Sequence, residues 1–168
     1  MPSEVEDLVR RFALAPHPEG GFFRETFRST ARFALPDYPS ERAASTAIYF
    51  LLAAGTFSAF HRVRSDEAWH HYDGAPLELQ MIDDEGHVSV VLLGRDFEAG
   101  QVPQAVVPRD VWQAARPVGD RHAFVGCTVA PGFDFADFEM PPREALVRRF
   151  PTLAPLVERF TRTKEQSP

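Results

Sequence analysis

GTFSAFHRVRSDEAWHHYDG, Gly55 to Gly74, decides how this chain is read. Its spacing is a glycine, five residues, His61, then Glu67, then six residues to Gly74. An apolar, β-favouring run, Ala47 to Leu52, precedes it, and Pro76 to Ile82 (PLELQMI) alternates apolar and polar at period two. A histidine on one strand and a carboxylate on the next meet inside a barrel, where they hold a metal or move a proton. Alternation from His61 puts Phe57, Ala59 and Val63 on its face. Alternation from Glu67 puts Trp69 and His71 beside the carboxylate and His70 opposite, and a bulge would exchange the two histidines.

Outward from this stretch, strands dominate. They are expected at 45–53, 56–63, 67–73, 76–82, 87–92, 104–107, 111–116 and 122–130, with turn signals at residues such as Gly55, Asp73-Gly74, Gly94, Gly100 and Gly119-Asp120. Many short strands without helix-length interruptions predict an all-β sandwich or barrel. Ser3 with Glu6 forms a capping box, and Val5, Leu8, Val9 and Phe12 recur at helical spacing, so a short helix over 4–13 is expected. HPEGGFFRETFRST (His17 to Thr30) turns at Gly20-Gly21 into a strand with Phe23, Glu25 and Phe27 on one face and Phe22, Arg24, Thr26 and Arg28 on the other. Residues 31–44 read as a surface loop. The tail, 141–162, is helical and caps the barrel from outside.

The 168 residues suit one domain, with a core of about 16–140. A net charge of −6 is spread along the chain and leaves no basic footprint for nucleic acid or an acidic membrane. The sole cysteine, Cys127, reads as a small buried core residue, and no apolar leader or membrane-length run is present, so a cytoplasmic protein is expected. His17, His87 and His122 sit in turn-like contexts and read as surface residues. Asp134 and Asp137, alternating with Phe133, Phe135 and Phe138, read as solvated acids on an edge strand.

Gly55, His61, Glu67 and Gly74 resemble the first signature of the cupin superfamily, G-x5-H-x-H-x3-E-x6-G, at every position but Val63, where metal-binding cupins carry a second histidine. Pro108 to Gln113 (PRDVWQ) resembles the second signature, P-x-G-x2-H, with Asp110 for the glycine and Gln113 for the third histidine. Pro16 to Ser29, Ser45 to Leu52 and Ala130 to Met140 (APGFDFADFEM) are similar to the small single-domain cupins grouped as a domain of unknown function, cupin-5. The resemblance implies a double-stranded β-helix (jelly roll), a homodimer, and no established reaction. A metal, if bound, would rest on His61, Glu67 and Gln113, a depleted ligand set for one divalent transition metal.

Glu19 to Glu25 is also loosely similar to the segment before the barrel in nucleotide-sugar epimerases of this fold, such as dTDP-4-dehydrorhamnose 3,5-epimerase. That likeness implies Arg24 and Glu25 as ligand contacts and His61 as a metal-free base, with Glu67 orienting it. Three readings therefore stand, each with a small-molecule ligand in the barrel lined by His61, Glu67, Trp69, Gln113, Arg24, Tyr49 and His71. One is an isomerase or epimerase acting on a sugar-like or carbonyl compound without metal. Another is a metal-dependent enzyme, and the last is a non-catalytic binding module.

Overall fold

The computed structural model describes residues 3–163. Its elements run α1 (Glu4–Phe12), β1 (Ala15–Pro16), β2 (Phe22–Arg28), β3 (Arg32–Phe33), β4 (Arg42–Ala43), β5 (Thr46–Leu52), β6 (Ser58–Val63), β7 (Asp66–Gly74), β8 (Leu77–Ile82), β9 (Val88–Leu93), β10 (Gln104–Val107), β11 (Trp112–Pro117), β12 (Ala123–Ala130), β13 (Phe138–Glu139), α2 (Arg143–Arg149) and α3 (Ala154–Arg159). The strands build two antiparallel sheets, ordered β1-β2-β5-β12-β7-β10 and β13-β6-β11-β8-β9, with β3-β4 as a small ribbon. This is the cupin jelly roll. The segment 31–44, expected to be irregular, contributes that ribbon.

Strand alternation sorts the side chains into layers. Phe50, Leu52, Trp69, Leu77, Leu79, Met81, Ala115, Val125 and Cys127 point between the sheets and form the central core. Leu51 and Phe124 point outward under α1, which covers them with Val5, Leu8, Val9 and Phe12. Phe60, Ile82, Trp112 and Ala114 point outward under α2 and α3, which supply Leu146, Phe150, Val157 and Phe160. Both sheets thus carry an apolar layer on each face, which is why strands such as TAIYFLL read as nearly continuous apolar runs.

The terminal helices are specified locally. Ser3 accepts from Glu6 N while Glu6 accepts from Ser3 N, the reciprocal capping box, and α1 stops at Ala13 in the left-handed conformation. Three register shifts interrupt the ladders. One extra residue sits in β2 between Glu25 and Phe27, one in β6 opposite Gln113 to Ala115, and one in β7 opposite Phe124 to Val125. The first two build the site.

Candidate functional site

The barrel holds a cavity of about 270 Å³ whose lining includes His17, Glu19, Glu25, Arg28, His61, Glu67, Cys127 and the rings of Phe23, Phe133, Phe135 and Phe138. At its centre is Glu19, which enters as part of a backbone hook. His17 N–H donates to Gly21 O, and Gly20 N–H donates to His17 O, closing a tight turn. Gly20 and Gly21 both have positive φ (111° and 75°), and a Cβ on either would strike neighbouring backbone, Phe57 O or Leu51 O. Ala59 N–H and Arg162 Nη1 both donate to Glu19 O, at 2.8 and 2.7 Å, and pin the hook to β6.

Ser58 and His61 grip the Glu19 carboxyl from one strand. Ser58 Oγ donates to Oε1 at 2.9 Å, and His61 Nε2 lies 3.1 Å from Oε2. Side chains three apart point to opposite faces of a regular strand. The β6 bulge brings these two to the same side. The same bulge sends Phe57 to the outer layer against Phe160, so it does not share the His61 face as alternation predicted.

The hydrogen bonds fix where the protons are. His61 Nδ1 lies 2.8 Å from Ala59 O, an acceptor, so Nδ1 carries hydrogen. In the neutral ring Nε2 is then a bare acceptor facing a carboxyl oxygen, and one proton must lie between them. Burial pushes Glu19 up to about 8, against the lowering effects of the Ser58 bond and Arg162, and burial lowers His61. Both shifts place that proton on Glu19 at neutral pH. The pair is a neutral carboxylic acid donating to a neutral imidazole.

His17, expected at the surface, is buried. Its Nδ1 accepts from Glu19 N–H at 3.2 Å, which leaves the ring proton on Nε2. Burial and then the neighbouring His61 drive its pKa down to about 3. These shifts set opposite pH slopes. His17 takes up fewer protons folded than unfolded between about 3 and its ordinary 6.5, so its contribution to stability falls as pH drops through that window. Glu19 holds more protons folded than unfolded between its ordinary 4.5 and about 8, so its contribution falls as pH rises. The slopes oppose one another between 4.5 and 6.5. We expect a stability plateau there, with losses below it from His17 and above it from Glu19. Urea melts at several pH values check this. His17→Asn should flatten the acid side and turn the plateau into a fall with rising pH, because the Glu19 slope is then unopposed.

Across the cavity, Glu67 is held as an acceptor. Gln113 Nε2 donates to Glu67 Oε2 at 2.6 Å, the Cys127 thiol also hydrogen-bonds it, and burial raises its pKa. Gln113 is itself oriented by Trp69, whose Nε1 donates to Gln113 Oε1 at 2.8 Å. Trp69 and Gln113 are fully buried behind the cavity wall and act through Glu67. The expectation that Glu67 orients His61 is corrected: Ala59 O holds one ring nitrogen and Glu19 faces the other. Glu67 acts on His61 through its charge.

Other expected contacts fall elsewhere. Arg24 and Tyr49 are cross-strand partners on the outer face, where the guanidinium lies 5.7 Å from the tyrosine ring and the ring packs on Phe12 and Phe124. They do not line the cavity. Glu25 does, and the β2 bulge at Thr26 turns Arg28 to the same side, where Nε and Nη2 donate to the two Glu25 oxygens at 2.8 and 2.7 Å. His71 points inward but lies outside the cavity, with Nε2 bonded to Ala75 O. His70 meets Thr128 Oγ1. His122 is buried rather than exposed. Asp137, expected in solvent, is buried and bridged to Arg42.

The cupin metal is tested by these bonds. An ion held by His61, Glu67 and Gln113 needs the amide oxygen of Gln113, which already accepts from Trp69, while its NH₂ faces Glu67. It needs His61 Nε2, which is engaged by Glu19. Val63, apolar, lines the cavity where a second histidine would stand. The residues do not fit that ion. Among the described residues, the single trio of His, Cys, Asp or Glu with ligand atoms mutually within 4.8 Å is Glu4, Asp73 and His122, away from the cavity.

The family described as Cupin superfamily (DUF985) matches residues 6–141. The chain belongs to this family. Protein SO0799 from Shewanella oneidensis is 36% identical and superposes with a TM-score of 0.87 over 98% of this chain and 100% of its own. A hypothetical protein from Leishmania major is 30% identical, with a TM-score of 0.86 over 93% and 97% of the two chains. The uncharacterized protein YML079W of Saccharomyces cerevisiae is 30% identical over 81% of this chain and 74% of its own. Bacillus subtilis oxalate decarboxylase shares the fold alone, at 12% identity and a TM-score of 0.56 over 89% of this chain and 37% of that one. Within this cupin family, the hook that carries His17 and Glu19 is the part of the site that signature matching passes over. The Glu-Gly-Gly tripeptide was its visible signal.

Proposed function

We propose that the barrel is the active site of an isomerase or epimerase that moves a proton next to a carbonyl in a small sugar-like or carbonyl compound, without a metal. The observation that carries this reading is the 3.1 Å contact of Glu19 Oε2 with His61 Nε2 while Nδ1 faces Ala59 O, an arrangement that one shared proton satisfies. A ligand carbonyl oxygen that takes the hydrogen bond of the Glu19 acid releases the Nε2 lone pair. Nε2 then removes the proton from the adjacent carbon, and the C–H electron pair becomes the C=C bond of an enol. The carbonyl π pair binds the proton from Glu19. Glu19 ends as a carboxylate and His61 as an imidazolium, so the buried site changes no net charge. In the collapse of the enol the Glu19 carboxylate regains a hydroxyl proton. His61 returns its proton to the neighbouring carbon for the isomer. For the epimer, solvent protonates the other face of the same carbon and His61 releases its proton to solvent. Glu67, fixed by Gln113, accepts from a ligand hydroxyl.

No unpaired cation supports a phosphate. Arg28 is the one cationic side chain among the described residues that line the cavity, and Glu25 engages it with two hydrogen bonds. That favours ligands without phosphoryl groups over nucleotide sugars. The homodimer implied by the resemblance and the cytoplasmic setting expected from the sequence remain part of the proposal.

The test is hydrogen exchange in D₂O. A panel of hydroxyaldehydes, hydroxyketones and free sugars, with and without an amino group, is incubated with the protein and followed by proton NMR. Deuterium should enter the carbon next to the carbonyl in at least one compound, survive treatment with chelator, and vanish in His61→Ala. Saturable binding with no exchange would establish a binding module instead. Exchange that persists in His61→Ala would remove the histidine from the chemistry.

A further inference from the structure

The mouth of the same cavity has a chemistry that the proton transfer does not use. Phe133, Phe135 and Phe138 lie within 5.0 to 6.1 Å of one another with interplanar angles of 84°, 68° and 73°, packed edge to face as an aromatic corner of the cavity lining. Phe23 lines the same cavity, and the His17 ring stacks on Phe135 at 6.2 Å. Phe135 is 54% exposed, a large ring held at the rim instead of in the core. Phe138 is stacked on the His61 ring at 5.4 Å, so the exposed Phe135 ring offers the free surface. The face of an aromatic ring carries negative potential and attracts cations.

The charges agree in sign. Glu25, Asp134 and Arg28 share this lining, and Arg28 is bonded to Glu25 and felt by Asp134, which leaves one carboxylate charge in excess there. Asp134 spends one oxygen on capping the 135–137 turn, accepting from Ala136 N–H at 2.8 Å. Deeper in, His17 is neutral, with its pKa near 3. Every group that could balance a bound anion is therefore already paired or uncharged.

We propose that the substrate carries an ammonium group, seated against the Phe133–Phe135–Phe138 corner with Asp134 as its counter-charge. This rests on the assignment of the barrel as the ligand site and names the class of that ligand: a small carbonyl compound or sugar bearing a primary or quaternary amine.

Choline and its uncharged isostere 3,3-dimethyl-1-butanol probe the corner without any need for turnover. Titration followed by NMR shifts of the His17 and His61 ring protons should show choline binding at least about tenfold more tightly than the alcohol. Phe135→Leu keeps the apolar bulk but removes the π face. It should weaken choline about two- to fivefold and leave the alcohol unchanged, the ratio expected of a partly exposed cation–π contact. Asp134→Asn, which retains the cap, should also weaken choline only. Equal affinities, a shared loss of both probes in Phe135→Leu, or binding of inorganic phosphate would overturn the proposal. Choline binding without deuterium exchange in any compound would leave the ammonium site standing and remove the isomerase, so the two readings fail separately.

Discussion

Glu19→Gln should reduce exchange about 10²- to 10⁴-fold, the range lost when a positioned acid–base group is removed, while the protein stays folded. Glutamine reproduces both hydrogen bonds of the hook. Its oxygen accepts from Ser58 Oγ, and its NH₂ donates to His61 Nε2 across the present 2.9 and 3.1 Å contacts. What it lacks is a proton to give up. Wild-type activity should fall on the alkaline side as Glu19 ionises near its raised pKa of about 8, and the residual activity of Glu19→Gln should lose that limb. Stability supplies the control. The variant has no group at 19 that ionises, so the loss of stability above pH 6.5 should shrink to the share carried by Glu67, whose pKa burial also raises. Activity within fivefold of wild type would remove Glu19 from the reaction.

Arg42→Ala should destabilise the fold by roughly 3 kcal/mol or more, the cost of stranding a buried charge. The side chains of Arg42 and Asp137 are 2% and 3% exposed. Arg42 Nε and Nη2 donate to the two Asp137 oxygens at 2.7 and 2.9 Å, and Nη1 donates to Ser40 O, Ser40 Oγ and Glu41 O. Lysine cannot reproduce this fork, so Arg42→Lys should recover only part of the loss. Arg42→Ala with Asp137→Ala should be less damaging than Arg42→Ala alone, because no charge is stranded. Denaturant titration checks all three. A cost below about 1 kcal/mol for Arg42→Ala would show that the carboxylate finds solvent after all. Asp137 belongs to the turn that carries Phe135, so the variant should also weaken choline binding at the mouth.

The strands were legible because their signal is local. β5, β6, β8, β11 and β12 lie within one or two residues of the spans that alternation and turn residues predict. His61 and Glu67 were legible because their spacing is a signature. The remainder depends on bulges and on contacts across the chain. Simple alternation puts Arg28 on the wrong face and favours Arg24, because the extra residue at Thr26 reverses it. Glu19 and His17 were passed over because neither belongs to a periodic segment, and their burial comes from a glycine turn anchored to β6. Asp137 looked solvated because its partner lies 95 residues away.

The guanidinium of Arg162 clasps Glu19 O and Phe57 O at 2.7 and 2.8 Å, joining positions 143 residues apart. On the ribosome, the barrel strands emerge before this clasp exists. A nascent chain can therefore close its sheets with Glu19 held from β6 alone, and the hook gains its second backbone anchor only when the segment after α3 folds back. Synthesis thus adds the Arg162 clasp to the hook last.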